Sequence, residues 1–115
     1  MPIPIYKIMS LEEWSHAQAA GRYAGSADDK RDGFIHLSTA EQLAGTLAKH
    51  FAGRDDLLLL AVDPEPLAPH LRWEPARGGA FFPHLYADLP VNVVISVKPM
   101  PLGSDGRHRL PDEVS

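Results

Sequence analysis

Leu57-Leu58-Leu59-Leu60-Ala61-Val62 is apolar at every position. Strand side chains alternate between two faces, so a strand of this composition must be covered on both sides, and a helix of that length would lack its caps. The run predicts the central strand of a sheet with packed layers above and below it. It is far too short to cross a membrane.

The other elements are read around that strand. Ile3 to Ile8 predicts a first strand whose start Pro2 and Pro4 confine to an edge or an entry segment. Ser10-Leu11-Glu12-Glu13 has the form of a capping box, and Met9 and Trp14 stand at the positions of a hydrophobic staple. A helix from Leu11 to about Ala20 follows, ended by Gly21. Tyr23 to Lys30 has no period and reads as a loop arching toward the strand that carries His36, a kind of loop that often covers a ligand.

In the next segment Phe34, His36 and Ser38 alternate with Ile35 and Leu37, which places the two aliphatic residues toward the core. Ser38 or Thr39 starts a second helix, with Glu41 or Gln42 three residues on; Leu43, Leu47, His50 and Phe51 form its stripe and Gly53 closes it. Leu71 to Glu74 predicts a short strand, Arg77-Gly78-Gly79-Ala80 a flexible connection, and Val91 to Val97 the last long strand. Residues 99–115 read as a flexible C-terminal tail. The order predicts a compact single α+β domain over residues 1–98, a mainly antiparallel sheet packed with two helices.

A chain of 115 residues forms one domain and buries about two thirds of its unfolded surface. It contains no cysteine, so disulfides and thiolate chemistry are excluded and His, Asp and Glu are left as metal ligands. With 11 basic and 15 acidic residues the formal charge is -4, which argues against general nucleic-acid binding and favours small-molecule ligands or proteins as partners. The N-terminus has neither a basic segment nor a long apolar run, and a cytoplasmic location is expected.

Two segments carry chemistry. His36, of the residue type whose charge can switch in the physiological range, stands beside Ser38 and the free N–H groups of a helix start, an arrangement that can hold an anion or a polarised ligand. In Phe82-Pro83-His84-Leu85-Tyr86 an extended backbone puts Phe82, His84 and Tyr86 on one face, and Pro83 points to an edge strand. Glu74 follows Trp73 in a strand and could be a desolvated acid or base, while Arg72 and Arg77 beside it could bind phosphate. His36, His84 and Glu74 could supply a catalytic zinc set, but no H-x-x-x-H or H-x-H spacing is present. His16, His50, His70 and His108 read as surface residues, His50 excepted for its place on the helix stripe. No serine sits in G-x-S-x-G, and the glycines form neither G-x-G-x-x-G nor a P-loop.

The combination of Ile5-Tyr6-Lys7-Ile8, Glu13-Trp14, Gly21-Arg22-Tyr23, Asp32-Gly33-Phe34-Ile35-His36-Leu37-Ser38-Thr39, Gln42, Thr46 and Phe82-Pro83-His84-Leu85-Tyr86 resembles the bacterial domain-of-unknown-function family 952, over about residues 3 to 98. More distantly, the layout is similar to compact ADP-ribosyltransferase-like domains, RNA 2'-phosphotransferases among them. That similarity implies a cleft for NAD or an ADP-ribose-like ligand beside the first strand and the Ser-bearing strand. By it, His36 and His84 are the catalytic candidates, and Lys7, Ser38, Thr39 and Tyr86 are the ligand-binding ones. The first motif here is Tyr6-Lys7 where those domains carry His-Gly or Arg, and the last block lacks the glutamate many transferases use. The implied activity is therefore nucleotide-type ligand binding with transfer chemistry at histidine. The alternatives are a non-catalytic module for a metabolite or a protein, and a metal-assisted hydrolase.

Overall fold

The computed structural model describes residues 3–111 and 114. In chain order the elements are β1 (Ile5–Ser10), α1 (Leu11–Ala20), β2 (Arg22–Tyr23), α2 (Ala27–Asp32), β3 (Ile35–His36), α3 (Leu43–His50), β4 (Leu57–Val62), β5 (Leu71–Pro75), β6 (Phe81–Leu85), β7 (Leu89–Pro90) and β8 (Val94–Pro99). The strands pair antiparallel in the orders β1-β4-β8, β2-β7 and β3-β6-β5, giving a compact single α+β domain. A bridge between Tyr6 and Ser38 links the first sheet to the chain leaving β3: each residue's N–H donates to the other's carbonyl, at 2.8 and 2.9 Å.

Strand β4 is central and buried throughout, as its composition requires. Leu58, Leu60 and Val62 enter one hydrophobic cluster with Ile5, Met9, Ile35, Leu37 and Leu85. Leu57, Leu59 and Ala61 enter the other with Tyr6, Ile8, Leu43, Leu47 and Met100. The alternation of Ile35 and Leu37 toward the core is likewise observed.

Helix α1 starts where its capping box places it. The Glu13 N–H donates to Ser10 Oγ at 3.0 Å and the Ser10 N–H donates to Glu13 Oε1 at 2.9 Å, so two orphan donors are satisfied. Gly21 ends the helix at φ 83°, a left-handed conformation that costs glycine little. Glu13 also accepts the Tyr23 hydroxyl at 2.9 Å and so ties β2 to the helix start. Ser10→Ala is expected to cost about 1 kcal/mol. A lower urea midpoint at unchanged slope would measure it.

Several elements depart from the sequence reading. Strand β1 begins two residues later than Ile3, and Met1 and Pro2 lie outside the described residues. The expected loop from Tyr23 to Lys30 contains the last residue of β2 and most of a third helix, α2, capped by Ser26: the Asp29 N–H donates to Ser26 Oγ and the Ser26 N–H to Asp29 Oδ2. A 3-10 turn at Ala40–Gln42 precedes α3, which ends at His50, with Gly53 in the turn beyond it. His50 is exposed and does not continue the buried stripe. Val91–Val93 form a 3-10 turn, so the last strand starts at Val94.

Strand β6 is central in its sheet, so the expectation of an edge position from Pro83 fails. The Pro83 carbonyl accepts the Leu37 N–H at 3.0 Å, so its missing donor also faces β3, where that ladder ends at His36 and the chain turns toward Tyr6. Position 83 returns no bond to the Leu37 carbonyl, so one ladder bond is forgone at the end of the β3 pairing. Beyond β8, Met100 is fully buried, a Leu102–His108 bridge forms a turn, and Leu110 and Val114 pack against the second cluster. Residues 112, 113 and 115 of the expected tail lie outside the described residues.

Candidate functional site

Strands β3 and β6 pair with His36 directly opposite His84. Opposed residues project to the same face, and the two ring centroids are 5.6 Å apart, edge to face. Phe34 stacks on His84 at 4.0 Å and leans against His36 at 4.6 Å, fixing both rings from the side.

Each imidazole is backed by carboxylate. His84 is buried, and its Nδ1 lies 2.8 Å from Glu74 Oε1 on β5, the same oxygen that accepts the Tyr86 hydroxyl at 2.6 Å. The bonds from Tyr86 and His84 hold the Glu74 carboxyl below its usual range, and the Glu74 bond pushes the Tyr86 phenol up. An ionised carboxylate only accepts, so Nδ1 of His84 is the donor in this bond.

His36 sits between two carboxylates. Its Nδ1 is 2.6 Å from Asp29 Oδ1 and its Nε2 is 2.9 Å from Asp32 Oδ2. Both contacts are complete only when both ring nitrogens carry protons. Asp29 is the centre of a larger network, in which it also accepts the backbone N–H groups of Ser26 and His36 and the Lys7 ammonium at 3.0 and 3.3 Å. Burial alone would raise its pKa; the His36 bond, the Lys7 charge and those N–H groups outweigh burial and hold the carboxyl well below the usual range. Gly25 permits this approach, because at φ 112° a side chain would be strained and its Cβ would lie 2.9 Å from that of Asp29. The same burial, with Glu13 and Asp29 nearby, pushes the Tyr23 phenol far up.

A cavity of about 390 Å³ opens over these groups, with Tyr6, Lys7, His36, Ser38, Lys49 and His84 on its wall. Lys7, His36, Ser38 and His84 are thus brought together from the six sequence candidates. Lys7 also meets the His36 carbonyl at 3.0 Å, so its three ammonium hydrogens face three acceptors and it serves to hold Asp29 and His36 in place. Ser38 Oγ lies 3.3 Å from the Thr46 hydroxyl. Thr39 is off the wall; its N–H donates to Gln42 Oε1 at the start of the 3-10 turn. Tyr86 is also off the wall and reaches it through Glu74, while Arg72 lies 5.4 Å over the Tyr86 ring. The Arg77 side chain lies outside the described residues.

The residues the sequence reading missed are Asp29, Asp32 and Lys49. The signal for the first two was Ser26 followed three residues on by an acid and closed by Gly33, a short capped helix. His50, read as a core residue, lines the cavity. Among the described residues no group of three or more His, Asp or Glu is placed to hold a metal ion, so the zinc set of His36, His84 and Glu74 is not assembled. No helix among them is long and apolar enough to cross a membrane.

Fold and site together define a small α+β domain with a pair of carboxylate-backed histidines on one cavity. The chain belongs to the family described as protein of unknown function (DUF952), whose model matches residues 8–97. The crystal structure of protein CC0527 from Caulobacter crescentus is 51% identical, covers 96% of this chain and 97% of its own, and superposes with a TM-score of 0.92. The solution NMR structure of CC0527 is 50% identical over 98% of this chain and 97% of its own, with a TM-score of 0.87. No curated protein matches the chain.

Proposed function

We propose that the cavity binds a nucleotide-type ligand, of the NAD or ADP-ribose kind, and that His36 and His84 move protons in a transfer reaction on it. The observation that carries this reading is the pair of carboxylate-backed rings 5.6 Å apart on one cavity wall. At that separation both rings can meet a single small group. The kinship with ADP-ribosyltransferase-like domains is supported by the cleft's position between the first strand, at Tyr6 and Lys7, and the Ser38 segment that bridges to it. His84 Nε2 is the general base, His36 meets phosphate or ribose oxygens, Ser38 offers a hydroxyl, and Tyr86 steadies Glu74 behind His84.

NAD, ADP-ribose and an RNA 2'-phosphate are the ligands to offer at millimolar concentration. A ligand present at about 100 times its Kd adds about 2.7 kcal/mol of stability, a rise of several degrees in the melting temperature. His84→Ala and Ser38→Ala should each lose most of that rise. Failure of all three ligands to shift the wild-type protein would sink the reading.

A further inference from the structure

The identity of the substrate follows from which charges are free to face it. Every carboxylate near the cavity has a partner: Asp29 holds Lys7 and His36, Glu74 holds His84 and Tyr86, and Asp28 and Asp32 both hold Arg31. Lys49, at the end of α3 and on the wall, has no ion-pair partner among the described residues. Departure of a leaving group from a ribose carbon develops positive charge, which a carboxylate aimed at that carbon would stabilise. Displacement at phosphorus keeps negative charge on the phosphoryl oxygens, which ammonium and imidazolium groups stabilise. The wall is built for the second.

The two histidines are also arranged as opposites. Glu74 accepts the Nδ1–H of His84, the tautomer in which Nε2 serves as the base. Carboxylates at both nitrogens of His36 require a proton on each, an acid. One base and one acid 5.6 Å apart can bracket a single tetrahedral centre. The volume of about 390 Å³ is near the lower end for small-ligand pockets, which run ~300–1,000 Å³. A single nucleotide unit fits that space.

From this geometry, and resting on the nucleotide reading above, we infer that the site hydrolyses ribonucleoside 2',3'-cyclic phosphates. His84 Nε2 takes one proton from water as the water oxygen forms a new P–O bond. One of the two ribose P–O bonds breaks, its electron pair stays on the ribose oxygen, and that oxygen receives the Nε2 proton of His36, released from Asp32. One water is consumed, nothing is oxidised or reduced, and proton exchange with solvent resets the two rings. Lys49 anchors the phosphoryl oxygens, and Glu74 and Asp29 position the histidines.

The experiment is ³¹P NMR of the full chain with the 2',3'-cyclic phosphates of adenosine, guanosine, cytidine and uridine. Conversion of the cyclic signal to a monoester signal above the buffer rate is expected, with a bell-shaped pH profile. H84Q and H36Q should each slow it by about 100-fold or more. Because His84 is buried and its replacement also disturbs the fold, K49A on the exposed helix end supplies the second test and should raise KM more than it lowers kcat. Intact cyclic phosphates in the presence of a wild-type protein that still binds ADP-ribose would overturn this inference and leave the nucleotide reading standing. Loss of both activities would overturn both. Turnover undiminished in folded H36Q, H84Q and K49A would also overturn it.

Discussion

Replacing Asp29 by alanine is expected to lower the unfolding free energy by about 3–5 kcal/mol, the cost of breaking a buried ion pair from one side. The substitution leaves the Lys7 ammonium buried with the His36 carbonyl as its remaining acceptor, and it strips an acceptor from His36 Nδ1 and from two backbone N–H groups. Against a total of about 5–15 kcal/mol for a domain of this kind, the loss is large. Asp32→Ala removes the outer, exposed contact of the same ring and should cost far less than Asp29→Ala. Urea unfolding of the two variants separates a buried network from a surface one, and a loss below about 1 kcal/mol for Asp29→Ala would show that Lys7 does not depend on it.

The same network sets an acid dependence. The folded protein holds the Asp29 carboxyl below its ordinary range, so as pH falls the unfolded chain takes up the proton first. The stabilisation is fully present above the unfolded aspartate value of about 4 and drains away below it. Wild-type stability should therefore fall more steeply than that of Asp29→Asn below pH about 4. Parallel curves for the two proteins would rule out the mechanism.

What could be read from the sequence was local. The β4 run, the Ser10–Glu13 box, the Gly21 stop and the alternation of Ile35 and Leu37 each express a short-range rule that the fold obeys. His36 and His84 were each visible on a strand, yet their register is a non-local fact that no window of sequence contains. Helix α2 escaped because six residues show no apolar period and its box closes with aspartate in place of glutamate or glutamine. With it went Asp29, the residue that joins Lys7 to His36. Pro83 misled because the edge rule keeps proline's missing donor away from a partner strand, and here the cost is one bond at the last rung of the β3 pairing. Lys49 is an exposed lysine in a last helical turn, and sequence gives it no mark that separates it from a solvated one.

Met100→Ala should destabilise the protein by about 2–5 kcal/mol, the range for truncating a fully buried methionine. Its side chain is 0% exposed, its N–H donates to the Leu57 carbonyl at 3.2 Å, and its cluster includes Tyr6, Ile8, Leu43 and Leu47. Glycine and proline around it give the segment the composition of a tail, but one apolar anchor placed beside a strand end outweighs the neighbours' preference for loops. The cluster it fills backs both Tyr6 and helix α3, the two elements that carry the cavity wall at Tyr6 and Lys49. Truncation after Pro99 should therefore cost at least as much stability as Met100→Ala and should weaken ligand binding as well. Thermal unfolding of both proteins, with and without ADP-ribose, decides it: a truncated chain as stable as the full one would make the segment dispensable and the wall self-supporting.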